Sequence, residues 1–82
     1  FGASWCGPCK RIEPHYDAFA KENKSNVEYY HLDIDEESIS DIMEDLELQL
    51  VPHFLIIRNK KVISSKQTSN KNELWPWLLE HI

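Results

Sequence analysis

The spacing of apolar residues changes repeatedly along these 82 residues, and that alternation restricts the chain to helices layered on strands. Ile12, Tyr16 and Phe19 recur at helical spacing with polar residues between them, so Cys6 to about Lys24 reads as an amphipathic helix in which Pro14 should introduce a kink. From Val27 to Ile34 the chain is rich in β-formers without clean alternation, which predicts a strand buried on both faces. Ile39, Ile42, Met43 and Leu46 stand at i, i+3, i+4 and i+7 and predict a second helix over about Glu37 to Glu47. Two apolar runs around an Arg58–Lys61 turn predict a hairpin. Leu74, Trp77, Leu78, His81 and Ile82 predict a terminal helix that tolerates Pro76 in its first turn. With Phe1 to Ala3 as the end of a further strand, the whole is one small α/β sandwich.

Charge and hydropathy narrow the functions. Fourteen acidic and nine scattered basic residues give a net charge of -5, which argues against a surface that tracks nucleic-acid phosphates. The longest apolar run, "FLII" at Phe54 to Ile57, falls far short of the roughly 18 to 20 residues of a membrane span. The acidic run Asp33 to Ser38 lacks the glycine and spaced ligands of a calcium loop and reads as a solvated loop leading into a helix. Trp77 is expected in the core and Trp75 at its edge. The chain opens on Phe rather than Met and reads as a piece of a longer protein, with any targeting segment upstream.

The chemistry concentrates in "WCGPCK", Trp5 to Lys10, which holds the only two cysteines. A disulfide between them would close a very short loop and restrain the unfolded chain little. A zinc site needs four ligands, and His15, His31, His53 and His81 do not stand at the spacing that completes one. A redox dithiol fits better. Cys6 falls at a helix N-terminus, where unpaired backbone N–H groups and the positive end of the helix dipole favour thiolate over thiol. Cys9, one turn later on the same face, is expected to be the more buried and to suit a resolving role. Gly7 and Pro8 add no charge beside Cys6, which favours a reducing couple over an oxidising one.

"FGASWCGPCK", Pro14 in the following helix, "HLDID", and "LVPHFLIIRNKKV" with Pro52 before a hairpin together resemble the thioredoxin family across essentially the whole chain. The resemblance implies a thioredoxin-like fold: a central mixed sheet flanked by helices, with the first strand or strands and the first helix missing. Residues 1–82 would form one such domain, incomplete at its N-terminus and expected to be unstable alone. It implies a protein disulfide reductase in which Cys6 attacks a substrate disulfide and Cys9 resolves the mixed disulfide. Pro52 would be a cis-proline facing the sulfurs, and Val51 would offer main-chain groups to an extended substrate. Trp5, Gly7 and Pro8 would complete the substrate surface, with Lys10 a modulator. No metal or organic cofactor is implied beyond the Cys6–Cys9 disulfide itself. The implied partners are disulfide-containing proteins and an electron donor such as thioredoxin reductase, with neither nucleic acid nor membrane, and the cytoplasm is the favoured compartment.

The departures from the family pattern are specific. Gly2 stands where many members carry an aromatic, Lys60 and Gln67 replace glycines, and His53 follows Pro52 where Thr is common. The family's buried acidic residue would lie upstream of Phe1. A His53 ring close to Cys6 would favour the thiolate when protonated, whereas a ring pointing away along the strand would leave Cys6 alone. Two other functions stay open: a disulfide oxidase or isomerase domain of a secretory compartment, and a redox-inactive docking module.

Overall fold

The computed structural model describes residues 1–24 and 27–82. Helix α1 spans Gly7–Glu22, α2 spans Glu37–Asp45, strands β1 (His53–Arg58) and β2 (Lys61–Gln67) form an antiparallel hairpin, and α3 spans Lys71–His81. No helix among the described residues is long and apolar enough to cross a membrane.

Helix α1 runs unbroken through Pro14. Its apolar stripe supplies Ile12 and Phe19 to a core completed by Leu74 and Leu78 of α3, with Tyr16, Tyr29, Phe54, Ile56, Trp75 and Trp77 packed around it. The aromatic rings meet edge to face, Phe19 against Trp75 at 5.6 Å and Tyr16 against Tyr29 at 5.9 Å between centroids. Both α3 indoles are half-buried and both are satisfied: Trp75 Nε1 donates to the His15 carbonyl at 3.0 Å and Trp77 Nε1 to Ser64 Oγ at 2.9 Å. Helix α3 begins earlier than its apolar pattern suggests because Asn70 caps it, accepting from the Asn72 N–H at 2.9 Å. Pro76 consequently lies beyond the first turn, inside the helix, and removes one helical hydrogen bond. Buried Thr68 ties β2 to this cap, donating to Glu73 Oε2 at 2.7 Å and accepting from the Asn70 N–H at 3.0 Å.

The segment from Val27 to Ile34 does not form the expected doubly buried strand. It contributes one parallel bridge, Gly2 to Asp33, because only Gly2 lies alongside it to complete a ladder among the described residues. Phe1 and Gly2 nevertheless join that segment to the hairpin by backbone hydrogen bonds. The Gly2 N–H donates to the Leu32 carbonyl and the Ile34 N–H to the Gly2 carbonyl, both at 3.0 Å, while the His53 N–H donates to the Phe1 carbonyl at 3.1 Å from the other side.

Two tight reversals are made without glycine. At the end of α2, Glu47 takes φ 59°, and the Leu48 N–H reaches the Met43 carbonyl at 2.9 Å, a Schellman-type stop that ends the helix two residues before the predicted Glu47. In the hairpin, Asn59 and Lys60 take φ 53° and 66°, the signature of a type I′ turn. A register shift between Ile56 and Ile57 leaves Ile63 bulged.

Side-chain alternation fixes the direction of His53. Phe54 and Ile56 face the core beneath α1 and α3, so His53 and Leu55 point to the opposite face of β1. Both ring nitrogens of His53 are buried without a hydrogen-bond partner. Burial pushes its pKa below the usual histidine value.

Three expectations follow for stability. Leu74, fully buried at the centre of the core, has no room to be replaced by solvent, so Leu74→Ala should lower the unfolding free energy by about 2–5 kcal/mol in a urea titration. Glu47→Gly and Lys60→Gly each relieve a left-handed residue and should raise it by up to about 1 kcal/mol; no gain in either would contradict the backbone assignment. Because the folded-state pKa of His53 is depressed, the unfolded chain binds more protons near the ordinary histidine pKa of about 6.5. Stability should therefore be full above that pH and fall as the pH drops below it, and His53→Thr should flatten that part of the profile.

Candidate functional site

Cys6 is the N-cap of α1, with extended backbone at φ -89° and ψ 108°, and its Sγ accepts a hydrogen bond from the Cys9 N–H at 3.2 Å. Gly7 and Pro8 occupy the first two helical positions, where the missing N–H of proline leaves no helical bond unmade. Cys6 and Cys9 are joined as a disulfide with their Cα atoms 5.2 Å apart. The two cysteines are nearly equally buried, at 5% and 6% exposure, which corrects the expectation that Cys9 is the more buried. The reason is packing: both belong to a second small core with Ala3, closed by Ile34 and Val51.

Val51 and Pro52 come to this site from the far end of the chain. The bond between them is cis, Pro52 is buried, and the Val51 carbonyl oxygen lies 3.9 Å from Cys6 Sγ. Gly2 lines the inner side, where a Cβ would meet Cys9 Cβ at 3.5 Å and Sγ at 3.6 Å. An aromatic ring at that position would have to pass along the disulfide.

Trp5 stands on the outer rim, 66% exposed, and its Nε1 donates to Asp35 Oδ1 at 3.1 Å. Asp35 is placed for this by an Asx turn in which its N–H donates to Asp33 Oδ1 at 2.9 Å. Sequence reasoning treated Asp35 as part of a solvated loop and missed the contact, since nothing local links residues thirty positions apart. Lys10 is exposed on α1. His53 shares the Pro52 segment, and its ring lies on the face of β1 opposite Phe54 and Ile56.

His31, which the histidine spacing left out of any zinc site, pairs with Asp17 at 2.7 Å and lies 3.9 Å from Glu13 on α1. These three side chains are exposed and their ligating atoms lie within 4.8 Å of one another. An exposed hydrogen bond between the His31 ring and the Asp17 carboxylate accounts for them.

The chain is similar to known proteins in sequence and in fold. The thioredoxin family model matches residues 1–80. Thioredoxin H2 of Arabidopsis thaliana is 35% identical over 74 residues, which cover 90% of this chain and 53% of that protein. Monothiol glutaredoxin-4 of Schizosaccharomyces pombe is 35% identical over 82 residues, covering all of this chain and 32% of that protein. The chain thus spans about half or less of these two relatives. Among solved structures, thioredoxin NaTrxh from Nicotiana alata superposes with a TM-score of 0.86 at 32% identity, covering 99% of this chain and 68% of that one. A match from the first residue almost to the last means that this chain belongs to the thioredoxin family.

Proposed function

We propose that the protein is a thiol–disulfide oxidoreductase that reduces protein disulfides through Cys6 and Cys9. The observation that carries this reading is the cysteine pair at the α1 N-terminus, with Cys6 Sγ already receiving a backbone N–H and lying beside the Val51–Pro52 segment. In the reduced protein the same N–H and the helix dipole would stabilise a Cys6 thiolate. That thiolate attacks one sulfur of the substrate disulfide, forms a mixed disulfide, and expels the other substrate sulfur as thiolate. Cys9, losing its proton, then attacks Cys6 Sγ. The second substrate thiol leaves, and the Cys6–Cys9 disulfide holds the oxidising equivalents of a two-electron exchange.

Each neighbour has a role in this sequence. Val51, next to the cis bond, would pair its main chain with an extended substrate segment and align the target disulfide with Cys6. Trp5, steadied by Asp35, would cover the substrate sulfur and exclude water, with Gly7 and Pro8 keeping the helix end low enough for approach. Closing the cycle requires an external dithiol donor, for which a reductase of the thioredoxin reductase kind is the fitting partner, in a reducing compartment such as the cytoplasm. The redox-active disulfide would be the sole prosthetic chemistry.

A docking module is the second reading, favoured by the match of the whole chain to one third of monothiol glutaredoxin-4. Insulin-disulfide reduction separates the two. The wild-type protein should turn over with a dithiol donor, Cys6→Ser should lose at least about 10³-fold in rate by losing its nucleophile, and Cys9→Ser should accumulate a covalent mixed disulfide visible by mass. Wild-type protein no faster than Cys6→Ser would leave the docking reading.

A further inference from the structure

The Cys6–Cys9 disulfide offers two sulfurs to an attacking thiol, and their surroundings differ although their burial does not. Cys6 Sγ has the Val51 carbonyl oxygen at 3.9 Å, so a thiolate approaching there meets the negative end of a backbone dipole. Cys9 Sγ is bordered instead by Gly2. A Cβ on Gly2 would lie 3.6 Å from that sulfur and 3.5 Å from Cys9 Cβ. Apart from the chain neighbours of Gly2, no other residue among those described comes within 4 Å of that point. The space that a side chain would fill is therefore open, and it ends on Cys9. It continues into a groove lined by Gly2, Ser4, Cys9 and Lys10, of which Cys6 forms no part.

The chemistry of exchange favours the same sulfur. Its rate depends on which sulfur is attacked, and the thiol of lower pKa leaves faster. Cys6 caps α1: its Sγ accepts the Cys9 N–H at 3.2 Å and lies at the positive end of the helix dipole, so it is the better leaving thiolate. Attack on Cys9 expels that well-held thiolate. Attack on Cys6 expels Cys9, whose own N–H is the donor in that bond.

We infer that small-molecule thiols enter this disulfide at Cys9, across Gly2, whereas protein disulfides are engaged at Cys6. The inference deepens the redox reading above, on which its second half rests, by naming the sulfur at which a low-molecular-weight donor delivers electrons. The donor thiolate bonds to Cys9 Sγ, the bond between the two protein sulfurs breaks, and its electron pair leaves with Cys6 as thiolate. A second donor thiolate then attacks the donor sulfur of the Cys9 adduct, forming the donor disulfide and expelling Cys9 as thiolate, which takes a proton from water. Two donor thiols are oxidised to one disulfide, and the protein disulfide is reduced to the dithiol. A larger side chain at position 2 would close this entrance.

The test treats the oxidised protein with 2-mercaptoethanol, quenches with acid at short times and caps the freed thiol with N-ethylmaleimide. Fragmentation between Gly7 and Pro8 in the mass spectrometer then separates the two cysteines. At the earliest times the mercaptoethanol adduct should sit on Cys9 and the maleimide on Cys6, in excess of about threefold or more over the opposite pattern. Gly2→Leu should slow adduct formation several-fold and move what remains to Cys6, while Gly2→Ala, whose methyl makes only ordinary contact, should slow it less. The position of the adduct on the wild-type protein decides the matter even if Gly2→Leu fails to fold. An adduct found first on Cys6, equal amounts on both cysteines, or no adduct at all overturns the inference, as does an unchanged rate in a Gly2→Leu protein with the wild-type circular dichroism. Insulin reduction by the same sample reads the redox proposal separately: a Cys9 adduct without insulin reduction keeps the entrance at Cys9 and removes the protein-substrate step.

Discussion

Everything in this molecule that concerns the disulfide depends on the backbone of Phe1 and Gly2. Gly2 is hydrogen-bonded to Leu32 and Ile34 on one side, and Phe1 exchanges two bonds with His53 on the other, one of them from its amino group at 2.7 Å. Those contacts make two residues the seam between the Val27–Ile34 segment and the hairpin. One step further, the Ala3 carbonyl accepts from the Cys6 N–H at 3.2 Å, so the seam also sets the start of α1. The positions of Cys6 at the helix cap, of Ile34 and Val51 against it, and of the cis bond at Pro52 all refer back to this one short extended stretch.

The two cores divide the labour. The larger one, between α1 and α3, is made of aliphatic and aromatic side chains whose polar tips reach main-chain or hydroxyl partners at the edges. It supplies the rigidity against which α1 is oriented. The smaller one contains the cysteines themselves, so the disulfide is also packing material. Burial of apolar area is non-directional and would tolerate many arrangements. The placement of Cys6 relative to Val51 is therefore left to hydrogen bonds and to the cis backbone rather than to hydrophobic contact alone.

Much of this was legible in the residues. The recurrence of Ile12, Tyr16 and Phe19 identified the core face of α1, the two runs around Arg58–Lys61 identified the hairpin, and the apolar pattern after Cys6 placed it at a helix N-terminus. What escaped had physical reasons. A strand is a relation between neighbours, so β-forming residues from Val27 to Ile34 could not by themselves say how much ladder they would find. The end of α2 was misplaced because Glu47 holds a left-handed stop that sequence reasoning seeks in Gly or Asn. The start of α3 lay outside its apolar stripe, in the capping of Asn70. The Trp5–Asp35 contact and the direction of the His53 ring both depend on tertiary neighbours that no local pattern encodes.

The low exposure of Cys6 and Cys9, beside a Trp5 that stands well out into solvent, has a kinetic consequence. A molecule arriving by random collision meets indole and backbone far more often than sulfur, and the way to the Cys6 sulfur runs past the Val51 carbonyl. Under the proposed redox function, the rate of exchange at this disulfide would then depend on how well a partner fits that surface more than on how often it collides.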